Sequence, residues 1–213
     1  MTTPTSPPRR PRRDAIENRA DIIAAATDLF AQDPRASVDA IARSAGLSRR
    51  ALYGHFDDRD ALVRAVVAVG AQRFNDIALT IDDSDPRVAL ARLASLLWRE
   101  AAHVQVAASI ALDEAHVHDT ADALAPVRRR VAAIVREGQE DGSLRTDVAA
   151  PTLARLVEET ARTVITRMDA SSAEARPLAV RAVLSIAGLS WTEAQKLLDE
   201  HPDLLEEDGC ASR

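Results

Sequence analysis

Between Ser37 and Phe56 the chain reads SVDAIARSAGLSRRALYGHF, and no other stretch narrows the possible folds as much. Two short helical patterns flank Ala45-Gly46-Leu47. The first carries Val38 and Ile41 on one face with small Ala42 beside them, and the second turns Leu52 inward. Ser37 and Ser48 stand where helix N-caps are needed, because a serine hydroxyl accepts a backbone N–H that has no intrahelical partner. Gly46 takes positive φ at no steric cost, as a sharp turn between helices requires. Ala42 leaves room for the second helix to cross closely over the first. The pattern is a helix-turn-helix, and it predicts that the helix opened by Ser48 lies in a DNA major groove.

With RADIIAAATDLF upstream and DDRDAL downstream, the stretch resembles the amino-terminal domain of the TetR family of transcriptional regulators. The residues that carry the resemblance are Leu29, Phe30, Ile41, Ala42, Ala45, Gly46, Leu47, Ser48, Leu52, Tyr53, His55, Phe56, Arg59 and Leu62. Three positions depart from the family's pattern. Gln32-Asp33-Pro34-Arg35 replaces a connector that usually holds glycine, Ala51 replaces a frequent Thr, and Arg59 replaces the usual Lys. Pro34 can set the connector's geometry by fixing φ. Beyond residue 70 the resemblance is one of architecture alone.

Composition agrees with an all-helical chain. Of 213 residues, 46% are hydrophobic and 3% aromatic, with seven glycines, so a core must be built from Ala, Val, Leu and Ile. No segment alternates as a strand does, and no run of apolar residues is long enough for a membrane span or a signal peptide. The single Cys210 cannot form an internal disulfide, and a cytoplasmic location follows. Net charge is −6, divided as +1 over residues 1–60 and −7 over 61–213, so the helix-turn-helix half is the less acidic one.

The expected organisation is a basic arm (1–13), a three-helix DNA-binding domain (14–60), a helical effector-binding and dimerisation domain (61–200) and a frayed tail (201–213), with about nine helices. Helices are expected from about 14–18 to 31, over 37–44 and 48–55, and from Asp57 or Asp58 to Leu79 with Leu62, Val66, Val69 and Phe74 along one stripe. After the break Asp82–Pro86, a helix turns Leu90, Leu93, Ala94, Leu97 and Ala101 inward. A short helix over 104–119 precedes one carrying Val127, Val131, Ile134 and Val135, which Gly142 ends. Two amphipathic helices follow, about 150–168 and 174–191.

Arg49 and Arg50 open the helix begun by Ser48, and an arginine there can donate two parallel hydrogen bonds to guanine O6 and N7. The resemblance implies that Ser37, Ser48, Tyr53 and His55 hold phosphates, with Arg59 adding charge against the backbone. Arg12 and Arg13 belong either to a DNA-touching arm or to a solvated tail. Asp113–Asp119 concentrates two His and three carboxylates, but on a helix His116 and His118 would point apart, so no metal or other cofactor is expected. No nucleophile triad, phosphate loop or CxxC pair argues for an enzyme.

The resemblance and the two late helices together imply a homodimer on a pseudo-palindromic operator, with Leu153, Val157, Val164, Val183, Ala187 and Trp191 at the interface. An apolar effector cavity is expected among the helices of about 57–168, touching Phe74, Trp98 and His103. The favoured function is a repressor released from its operator by a small molecule. The alternative is a helical ligand carrier or protein-interaction domain in which the helix-turn-helix is only scaffold.

Overall fold

The computed structural model describes residues 11–103, 120, 122–169 and 172–206, with the backbone alone at 11–14, 102 and 103. Among the described residues there are nine α-helices and no strands: α1 (Pro11–Gln32), α2 (Val38–Ser44), α3 (Arg49–Tyr53), α4 (Arg59–Leu79), α5 (Pro86–His103), α6 (Ala125–Glu140), α7 (Ala150–Arg167), α8 (Ala175–Ile186) and α9 (Trp191–Glu200). A 3-10 turn, Pro202–Leu204, follows α9. The expected helix over 104–119 lies outside the described residues.

Residues 22–66 close a core of their own. Ile22, Ala26 and Phe30 come from one stripe of α1, and they meet Ile41 of α2, Leu52 of α3 and Leu62, Val63 and Val66 of α4. The four-residue spacing on α1 and α4 is that of a single helical face. A second core gathers Ala78 at the end of α4 with the faces of α5 to α9. Thus α4, about 30 Å long at 1.5 Å per residue, contributes to both. Its inward face shifts along the way: Val69, expected inside, is exposed, while Ala71, Asn75 and Ala78 are buried. Asn75 Nδ2 donates to the Ala123 carbonyl at 2.9 Å, tying α4 to the segment before α6.

The body is arranged around α5, which packs against α4, α6, α7, α8 and the 3-10 turn. Val88, Ala89, Leu90 and Ala91 are buried in succession, as befits a helix surrounded by neighbours rather than one with a wet face. Asp83 and Asp203 both bind the Arg92 guanidinium, at 2.9 and 2.8 Å. Gly142, with φ +77°, ends α6 as expected.

Three expectations are corrected. Pro11 already opens α1, so residues 11–13, expected to belong to a disordered basic arm, are helical. The single helix expected over 174–191 is two. Gly188 (φ +111°) breaks the chain after α8, and Ser190 and Glu193 form a capping box that starts α9. Trp191 is therefore the first residue of α9 and 78% exposed, not part of a buried set. Nor does the chain fray from 201: Leu204 is buried, and the Ser95 hydroxyl donates to its carbonyl.

Candidate nucleic-acid interface and internal cavity

The helix-turn-helix is built by local capping. Ser37 Oγ accepts from Ala40 N (3.2 Å) and Ser48 Oγ from Ala51 N (3.1 Å), each supplying an acceptor to a helix start that would lack one. Gly46 has φ +69°, and Leu47 N donates back to the Ala42 carbonyl at 2.9 Å, closing the turn. Ala42 itself is buried beneath. Asp58 caps α4 through Ala61 N at 2.6 Å.

Ser37, Ser48, Arg49, Arg50 and Tyr53 are exposed, and His55 is half-buried. Arg49 bonds Asp39 at 3.1 Å and lies 5.5 Å from the Tyr53 ring centre. The Tyr53 hydroxyl, then the Asp39 carboxylate, hold its guanidinium still more firmly protonated than usual. The Arg50 side chain is exposed, with no hydrogen bond or ion pair among the described residues. Phe56 is core, and Arg19 covers its ring at 5.0 Å.

Arg59 occupies a different place from the one expected. Its Nη2 donates to the Pro34 carbonyl at 2.6 Å, and its guanidinium lies 5.1 Å from the Phe30 ring centre. It fastens the Pro34 connector to the start of α4. Sequence reasoning missed Asp39 and Arg19, since nothing local links either to a partner ten or more residues away.

A pocket of about 320 Å³, partly open to solvent, lies among α1, α4, α5, α6, α7 and α8. Phe74 lines it as expected, together with Leu90, Leu93, Leu97 and Val131. Trp98 does not. It points away into a small cluster with Ala175 and Ala179, so its assignment to the cavity is corrected. The His103 side chain and the whole of Asp113–Asp119 lie outside the described residues. Charged groups also reach the cavity: Arg73 pairs with Glu100 at 3.3 Å, Arg128 with Glu158 at 3.2 Å, and Arg162 with Glu159. Burial raises the Glu158 pKa, with Arg128 opposing.

The residues expected at a dimer interface are mostly spoken for within one chain. Leu153, Val157, Val183 and Ala187 are at most 3% exposed in the body core, and Val164 packs with Trp98. Val164 is half-buried there, and Trp191 is exposed. The apolar side chains that α7 and α8 do expose are Leu156 and Leu178. No described helix is long and apolar enough to cross a membrane.

Comparison with known proteins agrees with this architecture. Residues 22–66 match the family model for bacterial regulatory proteins of the tetR family. None of the curated proteins matches the sequence significantly. Among solved structures, FadR, a fatty acid degradation regulator from Bacillus halodurans, superposes with a TM-score of 0.70 at 17% identity, over 85% of this chain and 97% of its own. PfmR, a TetR-family regulator from Thermus thermophilus, gives 0.67 at 22% identity, over 79% and 98%. RolR in complex with resorcinol gives 0.63 at 19%, over 87% and 95%. The match in the head and the shared fold of head and body agree: residues 22–66 form a DNA-binding head of the tetR family of bacterial regulatory proteins, and the chain as a whole has the fold of such regulators.

Proposed function

We propose that the chain is a dimeric, sequence-specific repressor, acting in the cytoplasm and released from its operator by a small molecule held in this pocket. The observation that carries this reading is the exposed face of α3. A helix five residues long, capped by Ser48, presents Arg50 with its donors unengaged beside an anchored Arg49. An unpaired arginine in water adds nothing to the fold, whereas at a guanine edge it supplies two directed hydrogen bonds. Ser37, Ser48, Tyr53 and His55 serve as phosphate holders, and Arg12 and Arg13, in the first turn of α1, contribute positive charge to DNA binding. Arg59 serves the same face indirectly, by fixing the connector.

The cavity supports a ligand-controlled regulator, because its size falls at the lower end of the range for small-molecule sites. RolR, which shares the fold, is known in complex with resorcinol. Two copies joined through α7 and α8, with Leu156 and Leu178 between them, would present two α3 helices to a pseudo-palindrome. A gel shift against genomic DNA fragments tests the reading. Retardation of a small subset at salt that strips random duplex is expected. Equal retardation of all fragments, or of none, contradicts it.

A further inference from the structure

Gly70 lines the pocket from the middle of the face that α4 turns toward it. Val66, Val67, Arg73 and Phe74 line it too, standing four and three residues before Gly70 and three and four after it. Those positions neighbour residue 70 on one helical face, so a side chain there would project among them into the pocket. A Cβ at Gly70 would meet no atom of the described residues within 4 Å. The other described glycines have a structural reason to be glycine. Gly46, Gly142 and Gly188 have positive φ, and a Cβ at Gly54 or Gly138 would crowd the Ala51 carbonyl oxygen or the Leu144 side chain. Gly70 has neither reason, and it lies in a helix interior, where glycine is unfavourable. We propose that Gly70 sets the capacity of the pocket: its missing side chain leaves a notch in which a flat, apolar ring system lies against the α4 backbone.

This names a ligand contact and a ligand class for the effector site and so rests on the regulator reading. From Val66 to Phe74 the helix rises about 12 Å at 1.5 Å per residue, which gives room for two linked rings. Val66 and Phe74 border the notch, and Leu90, Leu93 and Leu97 of α5 line the same pocket, so hydrocarbon matches the wall. A flat ring approaches a bare Cα more closely than it could approach a residue with a Cβ, and each added atomic contact gains dispersion attraction. A leucine at position 70 would fill that space itself. The notch also lies where α4 passes from one core to the other: Val66 and Val67 pack with the head, and Phe74 packs with the body. A ligand seated there touches the helix that both cores share.

The test titrates the purified full chain with N-phenyl-1-naphthylamine, an uncharged probe whose fluorescence rises in apolar surroundings. The unaltered chain is expected to bind it. Gly70→Leu is expected to weaken binding about tenfold or more, and Gly70→Ala by a smaller factor. Gln72→Leu, at an exposed position of the same helix, should leave the affinity within about twofold. Both variants at position 70 should melt at or above the wild-type temperature, because they enter open space and favour helix. No binding to the unaltered chain, wild-type affinity in Gly70→Leu, an equal loss in Gln72→Leu, or a lower melting temperature in either variant at position 70 would overturn the proposal. The titration contains no DNA, so failure to retard any genomic fragment would overturn the regulator reading and leave binding in the notch in place.

Discussion

Arg49 and Arg50 are adjacent in sequence but differ in what binding DNA would cost them. Arg49 must give up Asp39 to reach a base, whereas Arg50 has nothing to give up. Replacing Arg50 by Ala is therefore expected to cost about 1–3 kcal/mol of operator affinity and relax preference at one base pair per half-site. Arg49→Ala should cost less, and titration on single-base operator variants separates the two. At Arg59 the expectation drawn from the folded chain departs from the one drawn from sequence. Loss of its hydrogen bond to Pro34 and its contact with Phe30 should destabilise the head by about 1–2 kcal/mol in a urea melt. The slope of log affinity against log salt should change by much less than the ~0.9 of a lost phosphate contact. What could be read in advance follows distance along the chain. Ser37, Gly46 and Ser48 act on atoms two or three residues away, so their roles are visible in the sequence. Asp39–Arg49, Arg19–Phe56 and Arg59–Pro34 exist only once the turn and the connector have folded.

Among the elements, the last two helices show how a continuous apolar pattern can conceal a break. Leu178, Val183, Leu184 and Ala187 keep helical spacing up to Trp191, yet the chain turns at Gly188. The signals were present in Gly188 itself and in Ser190-Trp191-Thr192-Glu193, the spacing of a capping box. A Cβ at Gly188 would stand 2.7 Å from Arg145 Cβ on a backbone with φ +111°. Gly188→Ala should therefore destabilise by about 1–3 kcal/mol in chemical denaturation. The central position of α5 was less accessible, because a helix buried on every side has no periodic polar face to reveal its neighbours. The Arg92 clamp joins α5 to the turn before it and to the 3-10 turn after α9. Its hydrogen bond to Arg92 lowers the Asp203 pKa, so this pair adds stability above the ordinary carboxylate value of about 3.9 and loses it as pH falls through the lower folded value. Because Asp203 is 54% exposed, Asp203→Asn should cost no more than about 1 kcal/mol at neutral pH. Thermal melts of the two proteins should converge in acid.

For the whole molecule, the helical pattern identified α7 and α8 as amphipathic but could not say which partner their apolar stripes meet. The chain's own core takes Leu153, Val157 and Val183, leaving Leu156 and Leu178 outside. Val157→Arg is accordingly expected to unfold the body, by burying an unpaired charge. Leu156→Arg combined with Leu178→Arg should instead yield a helical monomer by sedimentation and circular dichroism. The head, by contrast, was recognisable almost residue by residue, because its function needs fixed side chains on a fixed turn. That function is the central claim, and one measurement addresses it directly. DNA selected from a genomic pool would be titrated with the wild-type chain and with Arg50→Ala, on the operator, its single-base variants and random duplex at several salt concentrations. The account predicts a pseudo-palindromic operator bound about 10³-fold or more tighter than random duplex, with Arg50→Ala losing discrimination at one symmetric position. Equal affinity for operator and random duplex, or an Arg50→Ala profile indistinguishable from wild type, would contradict it.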